Sequence, residues 1–248
     1  MRIGIFGGTF NPIHYGHLRA AEEVNEIFAL DKILFIPSGR PPFKKPALLE
    51  ARHRYEMTRL AIEGNPSFGI SDIEVKRRGV SYSVDTMRSL RDKYRDAEFF
   101  FILGIDAFLD LPSWKEPDKL LRLVNLIVIS RAGFSFLDLS SSPYLIGDSF
   151  RKGVSTKTLR ELDKGLRDTF SFSIYPHTQN ASKMPHPSGW GVGVYREKKV
   201  FLCKIAGLGI SSSCLRSIIK AGKGIKYLLP QAVESYIISH KLYKGGRP

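Results

Sequence analysis

Cysteine is scarce in this chain of 248 residues, which contains only Cys203 and Cys214. Two cysteines are too few for the disulfide framework that holds small secreted domains together. A chain of this length does not need one, because it can bury most of the surface that its unfolded form exposes. We therefore expect a cytoplasmic protein that is stabilised by a hydrophobic core.

Long apolar runs are also missing. The stretch around Leu120–Ser130 is interrupted by Arg122 and Asn125, and it is shorter than the roughly 20 residues that a membrane-spanning helix needs. Near the N-terminus, the apolar run Ile3–Phe6 ends at two glycines, too early for a secretory signal. The sequence therefore predicts no membrane partner.

Acidic residues are outnumbered, with 24 Asp and Glu against 38 Lys and Arg, and the net charge is +14. Such an excess favours an anionic partner, and by itself it does not choose among nucleotide phosphates, nucleic acid and an anionic membrane. The sequence has no RNP-type aromatic motif, no zinc finger and no long Lys/Arg run. We therefore expect no nucleic-acid partner, and keep a nucleic-acid-binding module as the alternative that the charge motivates.

Short apolar runs alternate with amphipathic stretches along the chain. The predicted strands are Arg2–Phe6, Ile33–Ile36, Phe68–Val75, Glu98–Leu103, Leu126–Ser130 and Val200–Ile205. The predicted helices are His17–Leu30, Arg52–Glu63, Ser83–Tyr94, Ser213–Ala221 and Gln231–His240. This order is typical of an α/β protein with a Rossmann-like, doubly wound parallel sheet and helices on both faces. Ligands of such a sheet bind at the carboxyl ends of its strands, where the strand order reverses.

The alternation lapses between about residues 133 and 198. Ser140–Pro143 and His177–Gly193 are rich in Ser, Pro and Gly and therefore predict loops. Between them, Thr156–Asp168 predicts a short helix with Leu159, Leu162 and Leu166 on one face. We interpret this stretch as an insertion or subdomain within a single domain that covers residues 1–248.

The segment GGTFNPIHYGH (Gly7–His17) follows the first predicted strand and opens the first helix. Its glycines permit a tight turn and a close approach of the backbone to a ligand. The helix N-terminus that follows favours an anion, and His14 and His17 can face it together. A His-x-x-His pair could instead be half of a zinc site, but no Cys or His at metal-ligand spacing accompanies it. The segment therefore predicts a phosphate site and no protein-held metal.

A second phosphate site is predicted at ISSSCLR (Ile210–Arg216), between a strand and a helix. Serine hydroxyls cap helices and bind phosphate oxygens, and Arg216 adds a permanently charged fork. Read alone, the segment fits an ordinary capped helix with a surface arginine equally well.

Together the two segments resemble the signature motifs of the nucleotidylyltransferase superfamily, H-x-G-H and I-S-S-[ST]-x-[IL]-R. The resemblance implies that the two motifs hold ATP from opposite sides, with the C-terminal helices closing the site. It assigns the catalytic roles to His14, His17 and Arg216. It assigns ATP binding to Gly7, Gly8, Thr9, Phe10, Ser212 and Ser213. Many relatives have Asp where this chain has Asn11.

Five further segments resemble, in order, parts of the bacterial nicotinate-nucleotide adenylyltransferases. They are FIPSGRPPFKK (Phe35–Lys45), YSVDT (Tyr82–Thr86), LGIDAF (Leu103–Phe108), PSW (Pro112–Trp114) and SRAG (Ser130–Gly133). The resemblance implies transfer of AMP from ATP to nicotinic acid mononucleotide, which gives deamido-NAD and pyrophosphate in NAD biosynthesis.

The same resemblance places the acceptor. Trp114 would stack on its flat ring, Ser83 and Thr86 would meet its carboxylate, and Lys44 would meet its phosphate. Asp106 would contact the ribose or adenosine of ATP. Without the flanking motifs each residue fits an ordinary structural role, and Phe43 stands where the family often has His.

The expected mechanism is an in-line displacement by a phosphate monoester, which is already largely ionised near neutral pH and needs no catalytic base. Mg²⁺ would bridge the phosphates of ATP, mostly through water and substrate oxygens. Alternatives are another acceptor, such as nicotinamide mononucleotide or phosphopantetheine, and a regulatory ATP-binding protein without catalysis. The sequence leaves the oligomeric state open and allows a homo-oligomer.

Overall fold

The computed structural model describes residues 1–42, 48–142, 154–174 and 198–244. The acceptor-site candidate Lys44 and the predicted loop His177–Gly193 lie outside these residues. Within them, no helix is both long enough and apolar enough to cross a membrane. The assignment of residues 133–198 as an insertion stays a prediction.

The described residues form a seven-stranded sheet in the order β3-β2-β1-β4-β5-β7-β6. The strands are β1 (Arg2–Gly8), β2 (Lys32–Pro37), β3 (Phe68–Ile70), β4 (Glu98–Gly104), β5 (Asn125–Ile129), β6 (Thr169–Ile174) and β7 (Lys198–Cys203). All neighbours are parallel except β6 and β7, which pair antiparallel. The order reverses between β1 and β4, so the ligand cleft of a doubly wound sheet is expected beside their carboxyl ends.

Helices cover both faces of the sheet, which confirms the predicted fold class. They are α1 (Tyr15–Phe28), α2 (Ala51–Ile62), α3 (Ser83–Lys93), α4 (Ile105–Asp110), α5 (Pro117–Leu123), α6 (Thr156–Asp163), α7 (Ser212–Lys220) and α8 (Gln231–Ser239). Short 3-10 helices span Leu111–Ser113 and Phe136–Ser141. One buried apolar cluster packs α3, α4, α5 and α6 on one face, and a second packs α1, α2, α7 and α8 on the other.

Most predicted bounds differ from the observed ones by no more than two residues, but two elements end five residues earlier than predicted. Strand β3 ends at Ile70 rather than at Val75, because the chain then makes tight turns that bury the carboxylate of Glu74 against Thr86. Helix α6 ends at Asp163 rather than at Asp168, because Gly165 takes a left-handed conformation with φ of 69°. Leu166 is consequently exposed and does not share the buried face.

Strand β6 was not predicted at all. Its sequence, TFSFSI, has the alternation of apolar and polar residues that is typical of a half-buried strand. The alternation lies within the stretch interpreted as an insertion, where Ser-rich composition favours loops. The strand forms because β7 offers an unpaired edge, and an antiparallel partner satisfies the backbone groups of that edge.

A fully buried arginine, Arg54 on α2, forms hydrogen bonds to the backbone of three separate segments. Its guanidinium donates hydrogen bonds to the carbonyl oxygens of Leu49 at 2.8 Å, Thr9 at 2.8 Å and Gly39 at 3.0 Å. Thr9 lies in the turn after β1, and Gly39 follows β2. Because burial disfavours the charged form, the pKa of Arg54 is lowered, and the carbonyl dipoles replace the lost water.

Replacing Arg54 by Met should lower the free energy of unfolding by about 3 kcal/mol or more, because hydrogen bonds to a charged group are lost and carbonyl oxygens stay buried. Urea denaturation measures the loss. Arg52→Met is the matched control: Arg52 lies on the same helix with its side chain 74% exposed. Its cost should stay within about 0.5 kcal/mol. Equal effects of the two substitutions would contradict the assigned role of Arg54.

Candidate active site

A cleft of about 1300 Å³ lies at the carboxyl ends of the parallel strands. Its walls come from the turn after β1, the ends of β4 and β5, the loop after β7 and the start of α7. The described candidate residues that line it are Gly7, Gly8, Thr9, Phe10, His14, His17, Ser83, Thr86, Asp106, Trp114, Ser212, Ser213 and Arg216. The fold therefore brings every described candidate residue to one cleft.

The two glycines that end β1 have different surroundings. A Cβ atom on Gly8 would lie 3.0 Å from the ring of Phe10, so a larger residue there would require that buried ring to shift. A Cβ atom on Gly7 would have its nearest neighbour 3.8 Å away, on Phe101. Gly7 is exposed at the end of a buried strand, so its backbone is open to a ligand.

Phe10 has a left-handed backbone with φ of 44°, which is uncommon for a bulky residue. Its ring is buried and packs edge-on against Phe6 and His17, with centroids 5.9 Å and 5.2 Å away. The side chain therefore positions His17, and the contact that Phe10 can offer to ATP comes from its backbone.

The two histidines lie together at the start of α1. Their rings stack with centroids 3.8 Å apart, and Nδ1 of His17 accepts a hydrogen bond from the backbone N–H of His14 at 3.3 Å. This bond keeps the proton of neutral His17 on Nε2, which makes Nε2 the donor.

Both imidazoles are neutral near pH 7. Burial and then the charge of Arg131 lower the pKa of His14 to about 4. Burial, the neighbouring His14 and Arg131 lower the pKa of His17 well below its ordinary value. Two cations could not stack at this distance without a large repulsion, so neutral imidazoles with N–H dipoles are the forms that fit this geometry.

The start of α7 contacts the histidine turn directly. Nη1 of Arg216 donates to the carbonyl oxygen of Asn11 at 2.8 Å, and Oγ of Ser212 donates to that of Pro12 at 2.8 Å. Nη2 of Arg216 also donates to Oγ of Ser213 at 3.2 Å. Residues about 200 positions apart in sequence therefore lie side by side in the wall of the cleft.

The loop before α7 is held by residues that the sequence analysis missed. Glu23 on α1 is buried, and its Oε2 accepts the backbone N–H of Ala206 at 2.7 Å. Ser130 exchanges two hydrogen bonds with the backbone of Ile205. The sequence does contain a sign of this role, because Glu23 is a charged residue that lies beside Ala20, Ala21 and Val24 on the apolar face of α1.

Asn11, which stands where many relatives have Asp, has a structural role. Its Oδ1 accepts hydrogen bonds from the hydroxyl of Tyr243 at 2.8 Å and from the backbone N–H of Leu49 at 3.4 Å. A neutral amide oxygen serves both donors without burying a charge. The substitution therefore keeps the turn in place.

Asp106 lies in the first turn of α4, where its Oδ2 pairs with Nη1 of Arg131 at 2.7 Å. Its Oδ1 is buried and has no hydrogen-bond partner among the described residues. That oxygen can accept from a bound hydroxyl. Arg131 was not singled out in the sequence, although it lies in the SRAG segment.

The acceptor candidates line the opposite half of the cleft. Trp114 is half-buried, with its ring edge-on to Phe101 at 6.2 Å, and Ser83 lies in the first turn of α3. The hydroxyl of Thr86 is buried and bonded to Glu74 and Arg77. Sequence analysis missed Glu74 and Arg77, the first because it was assigned to β3.

The cytidylyltransferase-like family matches residues 5–162 of this chain. A probable nicotinate-nucleotide adenylyltransferase of Geotalea daltonii is 42% identical over 250 residues, which cover 100% of both chains. The corresponding protein of Geotalea uraniireducens is 39% identical over 251 residues, again with 100% of both covered.

Among solved structures, Plasmodium falciparum nicotinic acid mononucleotide adenylyltransferase complexed with NaAD has the same fold. Its TM-score is 0.64 at 21% identity, over 98% of this chain and 97% of that one. The same enzyme complexed with APC gives a TM-score of 0.62 at 20% identity, over 98% and 96%. By its full-length similarity to the curated relatives, this chain belongs to the nicotinate-nucleotide adenylyltransferase family of cytidylyltransferase-like proteins.

Proposed function

We propose that this protein transfers the adenylyl group of ATP to the phosphate of nicotinic acid mononucleotide, with deamido-NAD and pyrophosphate as products. The observation that carries the proposal is the meeting of the histidine turn and the start of α7 in one cleft. The cleft continues to Trp114 and Thr86, so it has room for a second nucleotide beside ATP. Membership of the family supports the same reaction.

In this reaction, a phosphate oxygen of the acceptor attacks the α-phosphorus of ATP, and pyrophosphate leaves from the opposite side. Both partners are anions, so catalysis consists of positioning and of stabilising the charge in the transition state. Nε2–H of His17 and the imidazole of His14 would bind α- and β-phosphate oxygens. A neutral imidazole keeps one N–H group, so each ring can still donate a hydrogen bond to a phosphate oxygen.

The leaving pyrophosphate would be held by Arg216, Ser212 and Ser213 at the N-terminus of α7. Backbone N–H groups at a helix N-terminus favour an anion, and the guanidinium adds a full positive charge. In the observed arrangement, Arg216 also bonds to the turn that carries the histidines, so the two groups keep a constant distance.

We propose Mg²⁺ as the divalent ion that accompanies ATP. It would neutralise phosphate charge and be held mostly by substrate oxygens and water. The carboxylate oxygen of Asp106 that has no partner in the described part of the chain is a hard donor of the kind that Mg²⁺ prefers, and it could equally accept from a ribose hydroxyl.

For the acceptor, we propose that Trp114 stacks on the pyridine ring and that Ser83 and Thr86 lie near the ring carboxylate. Lys115, whose ammonium pairs with Asp85 at 2.9 Å, adds positive charge at this end of the cleft. Lys44 stays a prediction for the contact with the acceptor phosphate.

Replacing His17 by Ala should reduce kcat by about 10²–10³-fold, which is the scale for losing one transition-state donor. Steady-state pyrophosphate release measures the effect. His240→Ala is the control, because His240 is exposed at the end of α8 and does not line the cleft. A folded His17→Ala variant with turnover within a fewfold of the natural chain would remove His17 from the mechanism.

The depressed pKa of His14 predicts a pH dependence of stability. The unfolded imidazole titrates near 6.5, whereas the folded one titrates near 4, so the unfolded chain binds the extra proton between these values. The free energy of unfolding should therefore fall as the pH falls from about 6.5 to 4, and His14→Gln should weaken this decline. Urea midpoints at several pH values test it, and an unchanged decline in His14→Gln would contradict it.

Acceptor choice is tested by pyrophosphate release from Mg-ATP with nicotinic acid mononucleotide, nicotinamide mononucleotide or phosphopantetheine offered separately. We expect the highest kcat/KM with nicotinic acid mononucleotide. A higher value with either other acceptor would replace the proposed substrate. ATP binding without pyrophosphate release from any acceptor would indicate a regulatory nucleotide-binding protein.

A further inference from the structure

A buried carboxylate lines the acceptor half of the cleft. Glu74 is only 8% exposed, and it lies beside Ser81 and Thr86 on the same wall. The proposed acceptor carries a carboxylate on its ring, which makes an anion on this wall unexpected. Two carboxylates in a poorly solvated space repel each other unless one of them is protonated.

The hydroxyl of Thr86 is already fully oriented. It donates its single proton to Oε1 of Glu74 at 2.7 Å, and it accepts a hydrogen bond from Nη1 of Arg77 at 2.8 Å. A threonine hydroxyl has one proton and two lone pairs. While Glu74 is ionised, Thr86 therefore has only a lone pair left for a ligand, and it repels a carboxylate.

The charged groups around Glu74 come from three elements. Arg77, in its own loop, lies close enough to act on its charge, and Arg54 acts on it from α2. The peptide of Gly39 bridges the two, since its carbonyl accepts from Arg54 and its N–H bonds to Glu74. On α3, the carboxylate of Asp85 pairs with Arg88 and Lys115 instead.

Among these groups, Glu74 is the buried carboxyl whose hydrogen bonds bear directly on Thr86. Burial raises its pKa, against the opposing hydrogen bond from Thr86 and the charge of Arg77. A second carboxylate brought into the cleft would raise that pKa further. Arginine side chains in proteins are effectively always protonated.

Resting on the function proposed above, we propose that Glu74 takes up one proton from solvent when the carboxylate-bearing acceptor binds. The neutral acid then donates its proton to Oγ1 of Thr86, which also keeps the bond from Arg77. Both lone pairs of Thr86 are thereby occupied, and its own proton turns toward the ring carboxylate of the acceptor. No covalent bond changes, and the proton comes from water or buffer.

This arrangement distinguishes the acid from its amide. The amide group of nicotinamide mononucleotide can donate its N–H to the lone pair of Thr86 while Glu74 stays ionised. Binding of the amide therefore needs no proton. A difference in proton uptake between the two mononucleotides is the signature of the proposed exchange.

The experiment is isothermal titration calorimetry of each mononucleotide in two buffers of different ionisation enthalpy, between about pH 6.5 and 8.5. The natural chain, Glu74→Gln and Glu63→Gln are compared. Glu63 directly follows α2, its side chain is 67% exposed, and its substitution is the matched control. Glutamine keeps a donor facing Thr86 and cannot titrate. Both mononucleotides carry the same phosphate, so its own protonation cancels in the comparison.

When they bind the acid, the natural chain and Glu63→Gln should take up as much as one proton more than when they bind the amide. At pH values where Glu74 is ionised, the Kd of these two chains for the acid should rise by up to about tenfold for each unit of increasing pH, relative to the Kd of Glu74→Gln. Glu74→Gln should bind the acid with no excess uptake. If Glu74→Gln does not fold, Thr86→Val, which removes the donor, should lose the excess uptake instead.

Equal proton uptake by the natural chain and Glu74→Gln would overturn the inference, as would folded Glu74→Gln that no longer binds the acid. In both cases turnover of nicotinic acid mononucleotide by the natural chain would leave the proposed function intact. Absence of that turnover would refute the function itself. Unchanged excess uptake in Thr86→Val would overturn the role of Thr86.

Discussion

The cleft depends on how the backbone carbonyls of one irregular turn are satisfied. The turn after β1 belongs to neither strand nor helix, so its buried carbonyl groups need partners from elsewhere. Arg54 on α2 donates a hydrogen bond to the carbonyl oxygen of Thr9. On α7, Arg216 donates to that of Asn11 and Ser212 to that of Pro12. The bonds that stabilise the turn therefore also hold the histidines beside the C-terminal groups that are proposed to bind phosphate.

Charge in the cleft follows a consistent pattern. The pKa values of the imidazoles at the start of α1 are lowered by desolvation and nearby positive charge, whereas the full positive charge of Arg131 is exposed to solvent. Placing this permanent charge at the accessible side reduces its desolvation cost while still attracting a polyanion. The net charge of +14 adds to the same attraction.

The predictions from sequence succeeded where the information is local. Apolar periodicity located β1, β4 and α1, and glycines and histidines after a strand located a turn that lines the cleft. They failed for β6, whose alternation was outweighed by Ser-rich composition, and for the residues after Ile70. At Glu74, the burial of a carboxylate against Thr86 decides the backbone path, and propensity carries no information about that partner.

The sequence by itself determined the α/β order, the two phosphate motifs and the family resemblance, because each is written in neighbouring residues. Only the tertiary structure decided which distant groups meet. Glu23 reaches Ala206 across 183 positions, and Arg216 reaches Asn11 across 205. Likewise, the neutrality of the histidines and the hydrogen bonds around Thr86 follow from burial and from partners on other elements. Strand order in the sheet sets these contacts, and no local pattern encodes that order.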